Sequence, residues 1–172
     1  MPKLPLKMLT KRLRTELKIC NRDPDHRIEL ADPTLTKFPV EVRVTVNNCQ
    51  AFVLKNDKLA TCATHVFVLL ITDQYPYERP KIRWQTPIFH PNIKMPEDGG
   101  QVCSKLVDNW NCRSNLAAFI KGIETLLTNP NPQNPLDTNS CTLSAEYFNK
   151  NQYTSPAILI NGSNGLKVVN KE

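Results

Sequence analysis

The sequence predicts an α+β fold, in which an antiparallel sheet is covered by helices, and three patterns support this prediction. A helical repeat opens the chain, a group of short strand-like segments occupies its middle, and a stronger helical repeat follows a long irregular stretch. Strands that cluster between helices, without alternating with them, favour α+β over a doubly wound fold. With 172 residues and 40% hydrophobic side chains, the chain is expected to form one domain around one core.

Residues 6–20 form the first predicted helix. Leu9, Leu13 and Leu17 recur at intervals of four and form an apolar stripe with Cys20. A second stripe with a similar period is basic, and an offset of two residues places it roughly opposite the leucines. The members of this basic stripe are Lys7, Lys11, Arg14 and Lys18. The stripe is either a solvated helix face or a docking surface for an acidic partner.

The middle of the chain predicts a four-stranded antiparallel meander. Residues 40–46 alternate valine with other side chains, which is the pattern of a half-buried strand. Residues 64–71 are dense in branched and aromatic side chains and predict a central strand. The prolines at positions 76 and 80 end that strand, and residues 81–85 follow as the last one. Shorter candidates are residues 28–30 and residues 51–54, with a turn at residues 56–58.

A long irregular stretch from Pro87 to Asn115 separates the strands from the last helices. A structureless stretch of this length inside a compact domain is typical of a functional loop. Apolar side chains then recur at i+3, i+4 and i+7, which is the strongest helix signal in the chain, with Ser114 or Asn115 as N-cap. This helix ends before Pro130, and a further short helix is predicted over residues 141–151.

The chain divides into a predicted domain over residues 1–151 and an extension over residues 152–172. The extension contains an apolar triplet, Ile158-Leu159-Ile160, followed by a segment with two glycines. This composition predicts either a hairpin or a flexible end.

Composition and charge restrict the possible classes of function. The net charge is +6, but lysine and arginine are spread widely rather than gathered with aromatic side chains, which argues against nucleic-acid binding. No apolar run reaches the roughly 20 residues that span a bilayer. The first residues lack the apolar core of a signal peptide. We therefore expect a cytoplasmic monomer without nucleic-acid or membrane partners.

Cys103 is the candidate nucleophile. The chain has six cysteines, which lie far apart without a Cys-x-x-Cys pair, so a zinc site and a disulfide framework are both disfavoured. Cys103 differs from the others because it lies in the irregular stretch, after His90-Pro91-Asn92. A thiolate attacks acyl groups, and the resulting thioester stays reactive towards amines. The alternative is that Cys103 is a small inert residue.

Asn92 and His90 complete the candidate site. A side-chain amide can stabilise the oxyanion of acyl transfer, and losing such a donor lowers the rate on the order of 100-fold. Asn92 could instead only cap a loop. His90 is expected to hold the loop through hydrogen bonds rather than to act as a base. A metal or redox site formed by Cys103, Cys112 and His90 is a further alternative, but its spacing fits no metal motif.

The order of the motifs resembles the ubiquitin-conjugating enzyme family. The shared features are Tyr75-Pro76, His90-Pro91-Asn92, Cys103, Trp110 and the proline-rich residues 130–136. Together they extend over most of the chain. The resemblance implies a UBC-like fold with an N-terminal helix, a four-stranded antiparallel sheet, a long active-site loop and C-terminal helices.

The resemblance also implies an enzyme, an acyl transferase. Cys103 would accept ubiquitin or a ubiquitin-like modifier from an activating enzyme as a thioester and pass it to a substrate lysine with a RING-type ligase. Asn92 would support the oxyanion or the loop, and His90 would be the structural histidine of the motif. The activating enzyme consumes the ATP, so the chain itself needs no cofactor. The residues implied in docking the activating enzyme and the ligase are Lys7, Lys11, Arg12, Arg14 and Tyr77.

The chain departs from the family pattern in several places. The separation between Asn92 and Cys103 is longer than is usual, although loop length itself costs little. Cys112-Arg113 replaces a Pro-Ala pair of the second ligase-binding loop. Asn134 and Lys105 stand where the family often has acidic residues. The sequence therefore predicts a divergent member, and the alternative is an inactive variant that only holds a modifier or a ligase.

Overall fold

The computed structural model describes residues 1–103 and 109–156 of the chain. Its helices are α1 (Leu6–Cys20), a short 3-10 helix (Pro96–Asp98), α2 (Leu116–Thr128) and α3 (Asn139–Lys150). Its strands are β1 (His26–Leu30), β2 (Val40–Val46), β3 (Ala51–Lys55), β4 (Lys58–Cys62), β5 (His65–Ile71) and β6 (Lys81–Trp84).

The predicted helices are confirmed, with small changes at their ends. The first helix has the predicted bounds. The second begins after Asn115, whose side chain accepts a hydrogen bond from the N–H of Ala118 at 2.9 Å and so acts as N-cap. The third begins at Asn139 rather than at residue 141, because Thr138 is its N-cap.

Four strands form the predicted antiparallel sheet, in the order β1-β2-β5-β6. On the inner face, Val42 and Val44 of β2 pair with Leu69 and Phe67 of β5, and all four side chains are buried. The side chain of Arg43, between the two valines, is exposed on the other face. The alternation of valines in the sequence thus reports directly which face of β2 meets the core.

Strands β3 and β4 form a separate two-stranded hairpin. Residues 51–54 therefore do not extend the main meander, and β4 was not predicted at all. The predicted turn at residues 56–58 is confirmed, since Lys55 pairs with Lys58 across a two-residue loop. Asn56 and Asp57 both have positive φ angles, of 49° and 58°. This is the backbone that a tight hairpin turn requires.

The core lies between the inner face of the sheet and helices α1 and α2. Leu9 and Leu13 of α1, and Ile120 and Leu127 of α2, are at most 1% exposed. Burying a leucine or isoleucine side chain stabilises the fold by roughly 1.5–3 kcal/mol. The leucine stripe therefore fixes which face of α1 meets the protein and which face remains for Lys7 and its basic neighbours. None of the helices in the described part of the chain is long and apolar enough to cross a membrane.

Candidate active site

The stretch that carries Asn92 and Cys103 is a hairpin rather than an open loop. Ile93 pairs with Val102 in an antiparallel bridge. At the base of the hairpin, the backbone N–H of Cys103 donates to the carbonyl oxygen of Asn92 at 2.8 Å. The additional residues therefore lie at the tip, around the 3-10 helix Pro96–Asp98. The longer spacing does not separate the backbones of Asn92 and Cys103.

The tip of this hairpin is fixed to its neighbours. The carbonyl oxygen of Gly100 accepts a hydrogen bond from the N–H of Trp84 at 2.7 Å. Gly100 has a φ of +63°, and a Cβ at this position would lie 2.4 Å from the carbonyl oxygen of Trp84. Only glycine fits here. On the other side, Lys94 Nζ lies 2.7 Å from Asp137 Oδ1, and this hydrogen bond lowers the pKa of the Asp137 carboxyl group.

The side chain of Asn92 anchors the base of the hairpin to residues 131–134. Its Nδ2 donates to the carbonyl oxygens of Asn131 and Asn134, at 3.1 and 3.0 Å, and its Oδ1 accepts from the N–H of Asn131 at 2.7 Å. Only 2% of Asn92 is exposed. Both amide hydrogens are therefore used inside the protein, and stabilisation of an oxyanion requires the release of one of these hydrogen bonds.

His90 is buried and holds two backbone groups. Its Nε2 lies 3.0 Å from the carbonyl oxygen of Leu126, and its Nδ1 accepts from the N–H of Asn92 at 3.0 Å. This pattern requires a neutral ring with the proton on Nε2. Burial lowers the pKa of His90 to about 4, so the ring stays neutral near pH 7. Both nitrogens are occupied, which suits the structural role that the family resemblance implies.

Cys103 lies at the base of the hairpin, next to the buried side chains of His90 and Asn92. It is a free, partly buried thiol at the end of the hairpin. Burial raises the pKa of Cys20 and of Cys49 to about 11, which makes both thiols poor nucleophiles near pH 7. Cys112 is exposed.

Lys105 lies outside the described residues, as do residues 157–172 of the predicted extension. Within the described residues, no three His, Cys, Asp or Glu side chains could hold a metal ion.

The predicted docking residues fall into two groups. Lys7 and Lys11 are exposed on α1, and Tyr77 is 45% exposed in the turn that precedes β6. Arg14 is also exposed, although its guanidinium donates to the carbonyl oxygen of Thr34 at 3.3 Å. These four side chains are accessible to a partner.

Arg12 instead turns towards the interior of the protein. Its Nε donates to Glu16 Oε1 at 2.7 Å, and its two terminal nitrogens donate to the carbonyl oxygens of Cys112 and Ser114, at 3.1 and 2.7 Å. Arg12 therefore differs from the exposed basic stripe beside it. Glu16, an acidic residue directly before Leu17 on the apolar face of α1, was not predicted as part of the site. An acidic side chain on the apolar face of a helix is the sequence feature that could have predicted a buried ion pair here.

Comparison with known proteins agrees with this architecture. The sequence model described as "Ubiquitin-conjugating enzyme" matches residues 12–158. The human "Ubiquitin-conjugating enzyme E2 T" is 34% identical over 98 residues, which are 54% of this chain and 45% of that protein. The "NEDD8-conjugating enzyme Ubc12" of Dictyostelium discoideum is 33% identical over 97 residues, which are 56% of this chain and 41% of that protein. The match thus spans less than half of the length of these relatives.

Solved structures show the same fold. "S. cerevisiae Ubc12" is similar with a TM-score of 0.65 at 22% identity, over 95% of this chain and 84% of that one. A structure titled "Novel Ubiquitin-Conjugating Enzyme" is similar with a TM-score of 0.61 at 23% identity, over 84% of this chain and 86% of that one. These likenesses confirm the UBC-like architecture that the motifs implied. The family's sequence model covers most of this chain, and the chain therefore belongs to the ubiquitin-conjugating enzyme family.

Proposed function

We propose that this protein is a ubiquitin-conjugating carrier enzyme. Its Cys103 accepts the C-terminus of ubiquitin or a ubiquitin-like modifier from an activating enzyme and passes it to a substrate lysine. The observation that carries this proposal is the hydrogen bond from the Cys103 N–H to the Asn92 carbonyl oxygen, at 2.8 Å. It holds a partly exposed thiol at the end of a closed hairpin, directly beside the buried motif of His90 and Asn92.

The chemistry consists of two acyl transfers. The Cys103 thiolate attacks the carbonyl carbon of the activated modifier, expels the activating enzyme's thiolate and forms a new thioester. The neutral amine of a substrate lysine then attacks this carbonyl, the C–S bond breaks, and an amide remains. His90 is not available as a base, because backbone groups occupy both ring nitrogens. The lysine must therefore lose its proton through desolvation or with the help of a ligase.

The partners follow from the exposed residues and from the family. The basic side chains of Lys7, Lys11 and Arg14 suit an acidic surface on the activating enzyme, which would consume the ATP. Tyr77 offers an exposed aromatic ring to a RING-type ligase. Relatives of the chain are named as ubiquitin- and NEDD8-conjugating enzymes, and this supports a ubiquitin-like protein as the modifier. The chain itself needs no cofactor, and its expected location is the cytoplasm.

A loading reaction tests the proposal. The protein is mixed with an activating enzyme, ATP and one of several ubiquitin-like modifiers, and the products are separated on a gel without reductant. A modifier-sized shift that thiols remove supports the carrier function. The absence of a shift with every competent pair of activating enzyme and modifier contradicts it, and favours a scaffold that only binds modifier or ligase.

A further inference from the structure

The carboxylate of Glu16 connects three parts of the chain. Its side chain is only 10% exposed. Oε1 accepts from Arg12 within α1, while Oε2 accepts from the hydroxyl of Tyr75 and from the N–H of Leu116, the latter at 2.8 Å. Tyr75 belongs to the turn between β5 and β6, and Leu116 is the first residue of α2. One buried carboxylate therefore joins α1, that turn and the beginning of α2.

Arg12 extends this network to residues 109–115, here called the 109–115 segment. Its two terminal nitrogens donate to the carbonyl oxygens of Cys112 and Ser114, and its Cζ lies 5.4 Å from the centre of the Tyr75 ring. The planar fork of a guanidinium spreads its donors over three nitrogens, and here each nitrogen reaches a different acceptor, whereas the donors of an ammonium group all lie on one nitrogen. Burial raises the pKa of Tyr75, so its hydroxyl remains a donor to Glu16.

Trp110 joins the same two loops a second time. Its Nε1 donates to the carbonyl oxygen of Pro76 at 2.8 Å. Its ring contacts those of Tyr75 and Phe119, with centroids 5.7 and 5.4 Å apart. The turn that presents Tyr77 and the 109–115 segment are thus held to each other and to α1. The proposed function offers Tyr77 to the ligase, and the family resemblance places the second ligase-binding loop at Cys112-Arg113, within the 109–115 segment.

We propose that Arg12 and Glu16 are positioning residues that hold the Tyr77 turn and the 109–115 segment as one preformed docking surface for a RING-type ligase. This inference rests on the proposed carrier function. A surface that is ordered before binding loses less conformational entropy when the partner binds, so its affinity is higher. Without the network, more ligase is needed for half-maximal stimulation of thioester discharge. The maximal rate at saturating ligase remains unchanged, because neither residue belongs to the Asn92–Cys103 hairpin.

Tryptophan fluorescence tests the structural part of this inference without any partner. The chain has two tryptophans, and Trp84 is 0% exposed, so acrylamide quenching reports mainly on Trp110. Arg12→Ala and Glu16→Gln are expected to raise the quenching constant about twofold, because Trp110 loses its fixed surroundings. Arg14→Ala is the matched control, since it removes the same charge from the same helix, and is expected to leave quenching unchanged. Wild-type quenching in both network variants would overturn the inference.

Ligase titration tests the functional part. In Arg12→Ala and Glu16→Gln, the ligase concentration for half-maximal discharge is expected to rise roughly tenfold, with an unchanged maximum. Arg12→Lys keeps the charge beside Glu16 but cannot reach both carbonyls, so it should restore stability without restoring this concentration. Arg12→Lys also takes the place of Arg12→Ala in this titration if Arg12→Ala does not fold.

Two results of the ligase titration would also overturn the inference. One is an unchanged half-maximal concentration in the network variants, and the other is a wild-type protein that no RING-type ligase stimulates. Thioester formation on Cys103 in the same reactions would still leave the carrier function in place. If wild-type protein formed no thioester, the proposed function itself would have failed.

Discussion

The backbone N–H of Cys103 donates to the carbonyl oxygen of Asn92 at 2.8 Å, and Ile93 pairs with Val102 next to this hydrogen bond. The candidate nucleophile and the candidate amide are therefore brought together by short-range strand pairing. Additional residues in this stretch extend the tip of the hairpin and leave its base unchanged.

Gly100→Ala is expected to destabilise the protein far more than Gly99→Ala. Both glycines have a positive φ, which a side chain disfavours by about 1–2 kcal/mol. At Gly100 the new Cβ would also collide with the backbone of Trp84, whereas nothing lies within 4 Å of the Cβ position at Gly99. We expect the free energy of unfolding to fall by about 3 kcal/mol in Gly100→Ala and by about 1–2 kcal/mol in Gly99→Ala. Equal losses in urea titrations would show that the tip is not packed on β6.

Asn92→Ala is expected to form the thioester with the modifier normally, and to transfer the modifier to free lysine on the order of 100-fold more slowly. The variant also loses the anchor to residues 131–134, which should lower the free energy of unfolding by about 1–3 kcal/mol. Asn149→Ala is the control, because Asn149 holds the same segment through Pro132 and Gln133 but lies outside the hairpin. Discharge is measured where all variants are folded. If Asn92→Ala discharges as fast as the control, Asn92 acts only as an anchor.

The stability of the protein is expected to fall as the pH decreases from about 6.5 towards about 4, in part through His90. Burial lowers its pKa in the folded state from 6.5 to about 4. Within this window the unfolded chain binds a proton that the folded protein does not, so acid favours unfolding, by up to about 3 kcal/mol. His90→Gln cannot titrate and should show a correspondingly weaker pH dependence in urea titrations. The same pH dependence in both proteins would contradict a buried neutral His90.

Charge reversal at Lys7 and Lys11 is expected to slow thioester loading roughly tenfold without unfolding the protein. Both side chains are exposed on α1, opposite its buried leucines. The effect should weaken at high salt, because screening reduces attraction between exposed charges. Reversal of Lys55 and Lys58, two exposed lysines of the β3–β4 hairpin, provides the same change of charge elsewhere. Equal loading rates for the two double variants would identify the stripe as a solvated helix face.

Much of the fold could be predicted because its signals are local. The leucine repeat of α1 and the valine alternation of β2 each reflect one buried face. Strand β4 was missed because Lys58–Cys62 shows no strict alternation and pairs only with β3. The placement of residues 51–54 in the main sheet failed for the same reason, since strand partners depend on distant parts of the chain.

The candidate site divides in a similar way. His90, Asn92 and Cys103 lie within one short stretch, so their proximity followed from the sequence. The inward orientation of Arg12 could not be predicted from the sequence, because its carbonyl partners on Cys112 and Ser114 lie about 100 positions away along the chain. Sequence periodicity placed Arg12 beside an exposed stripe, while tertiary contacts with a buried carboxylate determine where its guanidinium lies. The ion pair between Lys94 and Asp137 could not be predicted from the sequence for the same reason.

The central claim is that Cys103 carries the modifier, and intact-mass measurement after loading tests it most directly. Wild-type protein, Cys103→Ser and Cys112→Ala are each incubated with activating enzyme, ATP and modifier. Cys112 is the control because it is the exposed cysteine nearest in sequence. We predict one thiol-labile modifier on the wild type and on Cys112→Ala, and a thiol-resistant ester on Cys103→Ser. A thiol-labile adduct that persists on Cys103→Ser, or disappears in Cys112→Ala, would contradict the assignment of Cys103.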